Sequence, residues 1–222
     1  MELEFIWPPF GLEITVSNGR DELSLRVMRD EHIAAIAGVS PADIYGADIP
    51  DYAFGWLFDE GNNSAQFRWL NRAQTSPTQW CLDFIVMRGV EVVGTVSMRA
   101  PDFPETKSIE TGSWIYHKYQ GQGLGTLVRH ALATTAFNHF GASQLTTSWA
   151  DANVASATVS SKLGYRKIKS IEVDNLGPGG QTAPGTQAIL EGANYQQPSD
   201  IRVTVTGVGP ELKSFWDLHK HW

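Results

Sequence analysis

Between Tyr116 and Thr126 the chain reads YHKYQGQGLGT, where a run of aromatic and β-branched residues gives way to glycines at 121, 123 and 125 before an apolar helix pattern begins. A helix N-terminus carries about half a positive charge and up to four unpaired amide donors, so it holds an anion when side chains do not block the approach. Three missing Cβ atoms at such a place open the backbone to a phosphate. By spacing alone, a glycine-rich strand-to-helix turn without a ligand reads the same way. The dinucleotide pattern GxGxxG fails at Thr126, and the ATP-type GxxxxGK[ST] lacks its lysine.

Other residues carry chemistry at suggestive spacings. Asn153, Ser156 and Ser160 fall at i, i+3 and i+7, a polar stripe on a short helix that otherwise buries Val159 and Leu163. If the strand over SIETGSWIYHKY is regular, Glu110, Gly112, Trp114 and Tyr116 share one face, which leaves space beside the Glu110 carboxylate at Gly112. Asp43, Asp48 and Asp51 stand among Tyr45, Tyr52, Phe54 and Trp56, a mixture able to attract an ammonium group or simply to pack as a loop. Cys81 sits in WCLDFIVM and reads as a structural residue of a buried strand, and the six histidines show no HxxxH or HExxH spacing that would hold a metal.

The elements that must position these residues follow from periodicity and punctuation. LEITVSNGRDELSLRVM is a hairpin around Asn18-Gly19. Asp30 is the expected N-cap of a helix over RDEHIAAIAG, and Ser64 of one over SAQFRWLNRAQ, with an aromatic, broken stretch between them. CLDFIVMRGVEVVGTVSMRA gives two strands joined near Arg88-Gly89, and the strand ending at Tyr119 completes the centre of a sheet. Leu124, Leu127, Val128, Ala131 and Leu132 predict a one-sided helix ending near Gly141. SQLTTSWA returns as strand, Asp151 is the expected cap of the next helix, Lys162 and Gly164 close it, and YRKIKSIEV and IRVTVT are further strands. From Asn175 to Gly185 the Gly/Pro-rich composition predicts an exposed loop, part of an insertion over about 175–200. The order implies one α/β domain over 1–222, a mixed sheet with helices on both faces.

Composition narrows the function classes. At 222 residues with 42% hydrophobic and 18% charged residues the chain is globular, and its net charge of −7 argues against nucleic acid or an anionic membrane as partner. A cationic substrate suits it better. The acidic start and the lack of an apolar run near 18 residues predict a cytoplasmic protein with no membrane span. The oligomeric state is open, a homodimer being one option.

QGQGLG fits [QR]-x-x-G-x-[GA] with Gln120, Gly123 and Gly125, and here the chain resembles the GNAT acetyltransferase superfamily. NVASATVSSKLGY, with Asn153, Ser156, Val159, Lys162, Leu163, Gly164 and Tyr165, resembles the N-x-x-S-x-x-V-x-x-K-L-G-[FY] helix of its RimJ/RimL type, and VVGTVSMRA and IETGSWIYHKY are similar to the two preceding strands. The resemblance covers Val92 to Tyr165. It implies the GNAT fold with a mostly antiparallel sheet, and acetyl-CoA as cosubstrate. The implied cofactor residues are Trp114, Ile115 and Tyr116, then Gln120, Gly121, Gln122, Gly123, Leu124, Gly125 and Thr126, with Asn153 and Ser156 toward the pantetheine arm. Glu110 stands where the family's strand carries its glutamate and is the implied base.

The implied reaction is acetyl transfer to a primary amine: a protein or peptide N-terminus, or a small amine. An α-amino group near pKa 7.8 is roughly 10–15% neutral at pH 7, whereas a lysine near 10.4 is neutral in only about one molecule in 2,500. A backbone amide near Trp114 or Ile115 is expected to stabilise the oxyanion. Ser156 is the motif's acid, with Tyr116, Tyr119 and Tyr165 as alternatives closer in pKa to a thiolate. Two other readings are a coenzyme A-binding module without turnover and a transferase of another acyl group.

Overall fold

A computed structural model of the chain describes residues 2–59 and 63–216. In chain order the elements are α1 (Leu3–Ile6), β1 (Glu13–Ser17), β2 (Glu22–Val27), α2 (Asp30–Ile36), α3 (Pro41–Tyr45), α4 (Asn63–Ala73), β3 (Trp80–Arg88), β4 (Glu91–Ala100), α5 (Phe103–Thr106), β5 (Ser108–Ile115), α6 (Leu124–His139), β6 (Gln144–Ala150), α7 (Val154–Leu163), β7 (Arg166–Leu176), β8 (Gln181–Glu191), β9 (Arg202–Thr206) and α8 (Pro210–Phe215). The described strands form one sheet in the order β7-β8-β6-β5-β4-β3-β2-β1-β9. Every neighbouring pair is antiparallel except β5 and β6.

The first hairpin forms as its turn residues dictate. Asn18 Oδ1 accepts from the amides of Arg20 and Asp21, and Gly19 takes φ +82°. Alternation along β1 and β2 then buries Ile14, Val16, Leu23 and Leu25 against α6 and its neighbours. The opposite face carries a second cluster in which Ile33 and Ile36 of α2 and Ile44 of α3 pack on Ile85 and Trp114. Helices therefore cover both faces.

Several local expectations shift. Asp30 is the first residue of α2, not its cap, because its carboxylate accepts instead from Trp69 Nε1 and Arg72. Ser64 lies inside α4, whose first described residue is Asn63. Asp151 accepts from Thr186 Oγ1, and Asn153 caps α7 by accepting from the Ser156 amide at 3.0 Å. Helix α6 is not one-sided. From Leu127 to Ala136 every residue is buried, because the sheet covers one flank and α7 another.

The largest correction concerns the Gly/Pro-rich stretch. It is exposed from Pro178 to Thr182 as expected, but it is the turn of a long hairpin and not a free loop, and the hairpin's second strand β8 inserts between β6 and β7. Pro184 is tolerated because β6 pairing begins only at Gly185, so its missing N–H leaves no rung open there. Gly185 admits the close approach of β6, since a Cβ there would stand 2.6 Å from the Trp149 carbonyl oxygen.

Candidate active site

The only parallel pair in the described sheet is also the shortest. Strands β5 and β6 share the rungs Ser108↔Gln144, Ile109↔Leu145 and Glu110↔Thr146, and then part. Each is fully engaged on its other edge, β5 with β4 from Glu110 to Ile115 and β6 with β8 from Gln144 to Ala150. Two half-sheets that twist independently splay where nothing holds them together. The fork is trimmed by side chains: Thr147 Oγ1 donates to the Thr111 carbonyl at 3.1 Å, Arg129 Nη1 donates to the same oxygen at 3.2 Å, and Thr111 Oγ1 donates to the Thr146 carbonyl at 3.3 Å.

Strand parity decides which backbone groups face this cleft. The Tyr116 amide donates to the Val93 carbonyl at 2.9 Å, and the Trp114 carbonyl presses against Gly94, so both residues turn their peptide groups toward β4. Ser113 and Ile115 then point theirs toward β6. Of the two candidates for an oxyanion donor, Ile115 faces the splay and Trp114 does not. The Trp114 indole is buried in the second core cluster, and the Tyr116 ring lines a separate cavity of about 530 Å³ with Asp43 and Glu91. Burial, with Asp43 nearby, pushes the Tyr116 hydroxyl above the usual phenol range, which makes it a weaker acid.

Helices α6 and α7 both start beyond the carboxyl ends of this parallel pair, where open α/β sheets place ligands. Gly121 and Gly123 have φ +73° and +84°, and a Cβ at either would point into open space. Gly123 caps α6 without a side chain, and the first intrahelical bond there runs from the Leu127 amide to the Gly123 carbonyl. The six amides from Gly121 to Thr126 have no hydrogen-bond acceptor among the described residues. Such a nest fits a diphosphate. The Leu124 side chain is core, 1% exposed, so that residue offers the nest only its amide.

Gln120 plays a different part from the glycines. Its side-chain amide donates to the Ile115 carbonyl at 2.8 Å and the Ile44 carbonyl at 2.7 Å, tying the loop to both β5 and α3. A second brace was invisible in the sequence. Arg20 donates to the Gln122 carbonyl at 2.7 Å, Arg88 reaches Gln122 Oε1 at 3.4 Å, and both guanidiniums pair with the buried Asp21 carboxylate. The only sequence signal was Asn18-Gly19, which fixes the turn that carries Arg20 and Asp21.

Glu110 is exposed on the face it shares with Gly112, and Arg99 of β4 stands directly opposite it. A Cβ at Gly112 would lie 3.1 Å from Ser97 Oγ, so the space beside the carboxylate is real but narrow. Beyond Trp114 the same face continues as a chain of rings, with centroid separations of 6.5 Å from Trp114 to Trp56 and 6.1 Å from Trp56 to Phe54, from Phe54 to Tyr45 and from Tyr45 to Tyr52. The turn of the β7–β8 hairpin holds this chain in place. The Gly177 amide donates to the Ala53 carbonyl at 2.7 Å, Phe54 and Leu176 form an isolated bridge, and a Cβ at Gly55 would come within 2.6 Å of the Asn175 carbonyl oxygen.

On α7, Asn153 and Ser156 are half-buried. Asn153 Oδ1 accepts from the Ser156 amide, which leaves Nδ2 free to donate to a ligand. Of the alternative acids, Tyr119 is buried under Lys118, whereas the Tyr165 hydroxyl lies 3.4 Å from Thr111 Oγ1 at the fork. Cys81 is on β3, and burial beside Asp83 pushes its thiol well up, away from nucleophilic use.

A family model described as an acetyltransferase (GNAT) domain matches residues 22–166. Among solved structures, Mycobacterium smegmatis RimJ in complex with CoA-disulfide is 18% identical with a TM-score of 0.66, over 87% of this chain and 92% of that one. RimL, a ribosomal alpha-N-protein acetyltransferase in complex with coenzyme A, is 16% identical with a TM-score of 0.67, over 81% and 99%. A spermidine N-acetyltransferase from Vibrio cholerae in complex with CoA and spermine is 12% identical with a TM-score of 0.60, over 78% and 97%. At these identities the likeness to the three structures is one of fold.

Proposed function

This chain belongs to the GNAT acetyltransferase family, whose cosubstrate is acetyl-CoA, and from that premise we propose that it acetylates a primary amine by direct attack in a ternary complex. The acceptor is a protein or peptide N-terminus or a small amine. One observation carries the reading: β5 parts from β6 after Glu110, and the open edge that results leads at its carboxyl end into the free amides of Gly121–Thr126. A ligand gripped by its diphosphate at the loop is thereby laid along β5 with its thioester toward the fork.

The chain's own residues supply the rest. The amide nest holds the diphosphate, and the Ser113 peptide group and the Ile115 amide face the arm as a neighbouring strand would. The Asn153 side chain donates to an amide carbonyl of the arm. Glu110, directly or through a water, takes the proton that the amine must lose. An amide of β5 facing the splay stabilises the oxyanion, and the Ser156 hydroxyl donates to the sulfur as the bond to carbon breaks. Asp43, Asp48 and Asp51 and the ring chain from Tyr52 to Trp114 form the acceptor side, attracting a cation and covering its carbon chain.

The test is a panel of free-N-terminal ribosomal-protein peptides, spermidine and aminoglycosides incubated with the protein and acetyl-CoA. Mass spectrometry should find one acceptor class heavier by one acetyl group. Thermal stabilisation by acetyl-CoA without transfer to any of them would replace this reading with a non-catalytic binding module.

A further inference from the structure

Arg129 is a buried cation that the fold itself does not explain. It lies on α6, 5% exposed, and its guanidinium sits 5.3 Å from the centre of the Tyr165 ring. Nη1 donates to the Thr111 carbonyl at 3.2 Å, while Nη2 is buried with no hydrogen-bond partner. No carboxylate lies within ion-pair distance of it among the described residues. A guanidinium keeps its proton in proteins, so the charge is present at every working pH. Burying it without an anion is unfavourable, and an apolar side chain of similar length would serve packing as well or better.

Its position says what the charge is for. Thr111 is the first residue of β5 past the last rung with β6, and its carbonyl is where Arg129 and Thr147 close the fork. From Tyr116 back to Thr111 the strand covers about 17 Å. In the reading above, an extended arm anchored at the amide nest and laid along β5 points toward that carbonyl, beyond which the paired strands leave no gap.

We infer that Arg129 is a positioning residue for the leaving group: fixed through the Thr111 carbonyl, it sets a positive field at the fork that favours the thiolate. The inference rests on the reading under Proposed function. In that reaction the amine nitrogen forms a bond to the thioester carbonyl carbon, its proton passes to Glu110, and the carbon–sulfur bond breaks with its electron pair remaining on sulfur. The products are the amide, the coenzyme A thiolate and one proton. Of the titratable groups on the elements packed there, the Tyr165 hydroxyl is in contact with Thr111 and the Glu110 carboxylate lies on the other face of β5. His130, the next residue on α6, faces Tyr195 instead.

The test reads the sulfur directly. With coenzyme A bound to the full chain, the ultraviolet absorbance of its thiolate is titrated against coenzyme A-free protein, which subtracts the tyrosines and Cys81, whose thiol burial pushes up. The bound thiol should titrate below free coenzyme A. In Arg129→Met its pKa should rise by about one unit, a tenfold loss of thiolate at fixed pH, and Arg129→Lys should restore part of it. Arg129→Met should also melt at an equal or higher temperature while kcat falls at least tenfold and the KM for acetyl-CoA holds. A purely structural arginine would lose stability and rate together, and that result, or identical thiol titrations in wild type and Arg129→Met, overturns the inference alone. Absence of coenzyme A binding to the wild-type chain would sink it together with the proposed function.

Discussion

Glu110 and Thr146 form the last rung that β5 shares with β6. One peptide further on, the strands separate, so the carboxylate proposed as base stands at the threshold of the cleft and not deep within either half-sheet. The Glu110 side chain is exposed there, which suits a group that must take a proton and release it. The arrangement depends on β5 being held by β4 and β6 by β8, because neither strand can then swing across to close the gap.

The amide nest predicts a substitution whose effects on stability and binding have opposite signs. Gly123 is a poor probe, since its φ of +84° would strain any other residue. Gly125 is helical, and a Cβ there meets only Val159 Cγ2 at 3.9 Å. Gly125→Asp should stabilise the fold by about 0.3–1 kcal/mol, from helix propensity and from a carboxylate in the first turn of α6. The same charge should weaken acetyl-CoA binding at least tenfold in calorimetry, with Gly125→Asn losing much less.

Glu110→Gln should lower kcat without weakening acetyl-CoA binding. As pH rises the amine loses its proton to solvent unaided, so the deficit should be greatest at low pH and shrink toward pH 9. A variant as fast as wild type across the whole profile would remove Glu110 from the mechanism.

The clasp between the β7–β8 turn and the Asp51–Phe58 segment should govern the acceptor side alone. Gly55→Ala places a methyl group 2.6 Å from the Asn175 carbonyl oxygen and must push the two segments apart. The KM for the amine should rise severalfold while the dissociation constant for acetyl-CoA stays unchanged. Equal losses in both would show that the turn supports the whole fold instead.

His130 predicts a stability profile. It is 3% exposed, with Nδ1 3.0 Å from the Tyr195 hydroxyl, and burial holds its pKa below the ordinary imidazole value despite Asp200. The unfolded chain therefore binds more protons between the depressed folded pKa and about 6.5, and stability rises with pH through that window. The contribution is complete above pH 6.5 and is lost as pH falls to the folded value, at up to about 1.4 kcal/mol per pH unit. Denaturant melts from pH 5 to 8 should show this slope, and His130→Gln should flatten it.

Much of the architecture was legible wherever a local rule sufficed. The Asn18-Gly19 turn, the β3–β4 hairpin, the start of α6 after three glycines and the glycine stop of α7 are each decided by residues within one turn of the feature they form. The amide nest belongs with them, because free donors at a bare helix start are a property of a six-residue stretch.

What the sequence determined by itself was chemistry of short reach: the amide loop, the helix carrying Asn153 and Ser156, and a strand bearing Glu110 beside a glycine. Only the tertiary structure decided that β8 enters the sheet, since Pro184 and four nearby glycines read as loop and strand character there comes from β6 and β7 on either side. It also decided that Ser113 and Ile115, not Trp114, face the cleft, and that Arg129 is buried at its apex. Strand parity and burial arise from partners tens of residues away in the chain, and no local pattern of side chains records which partner will come.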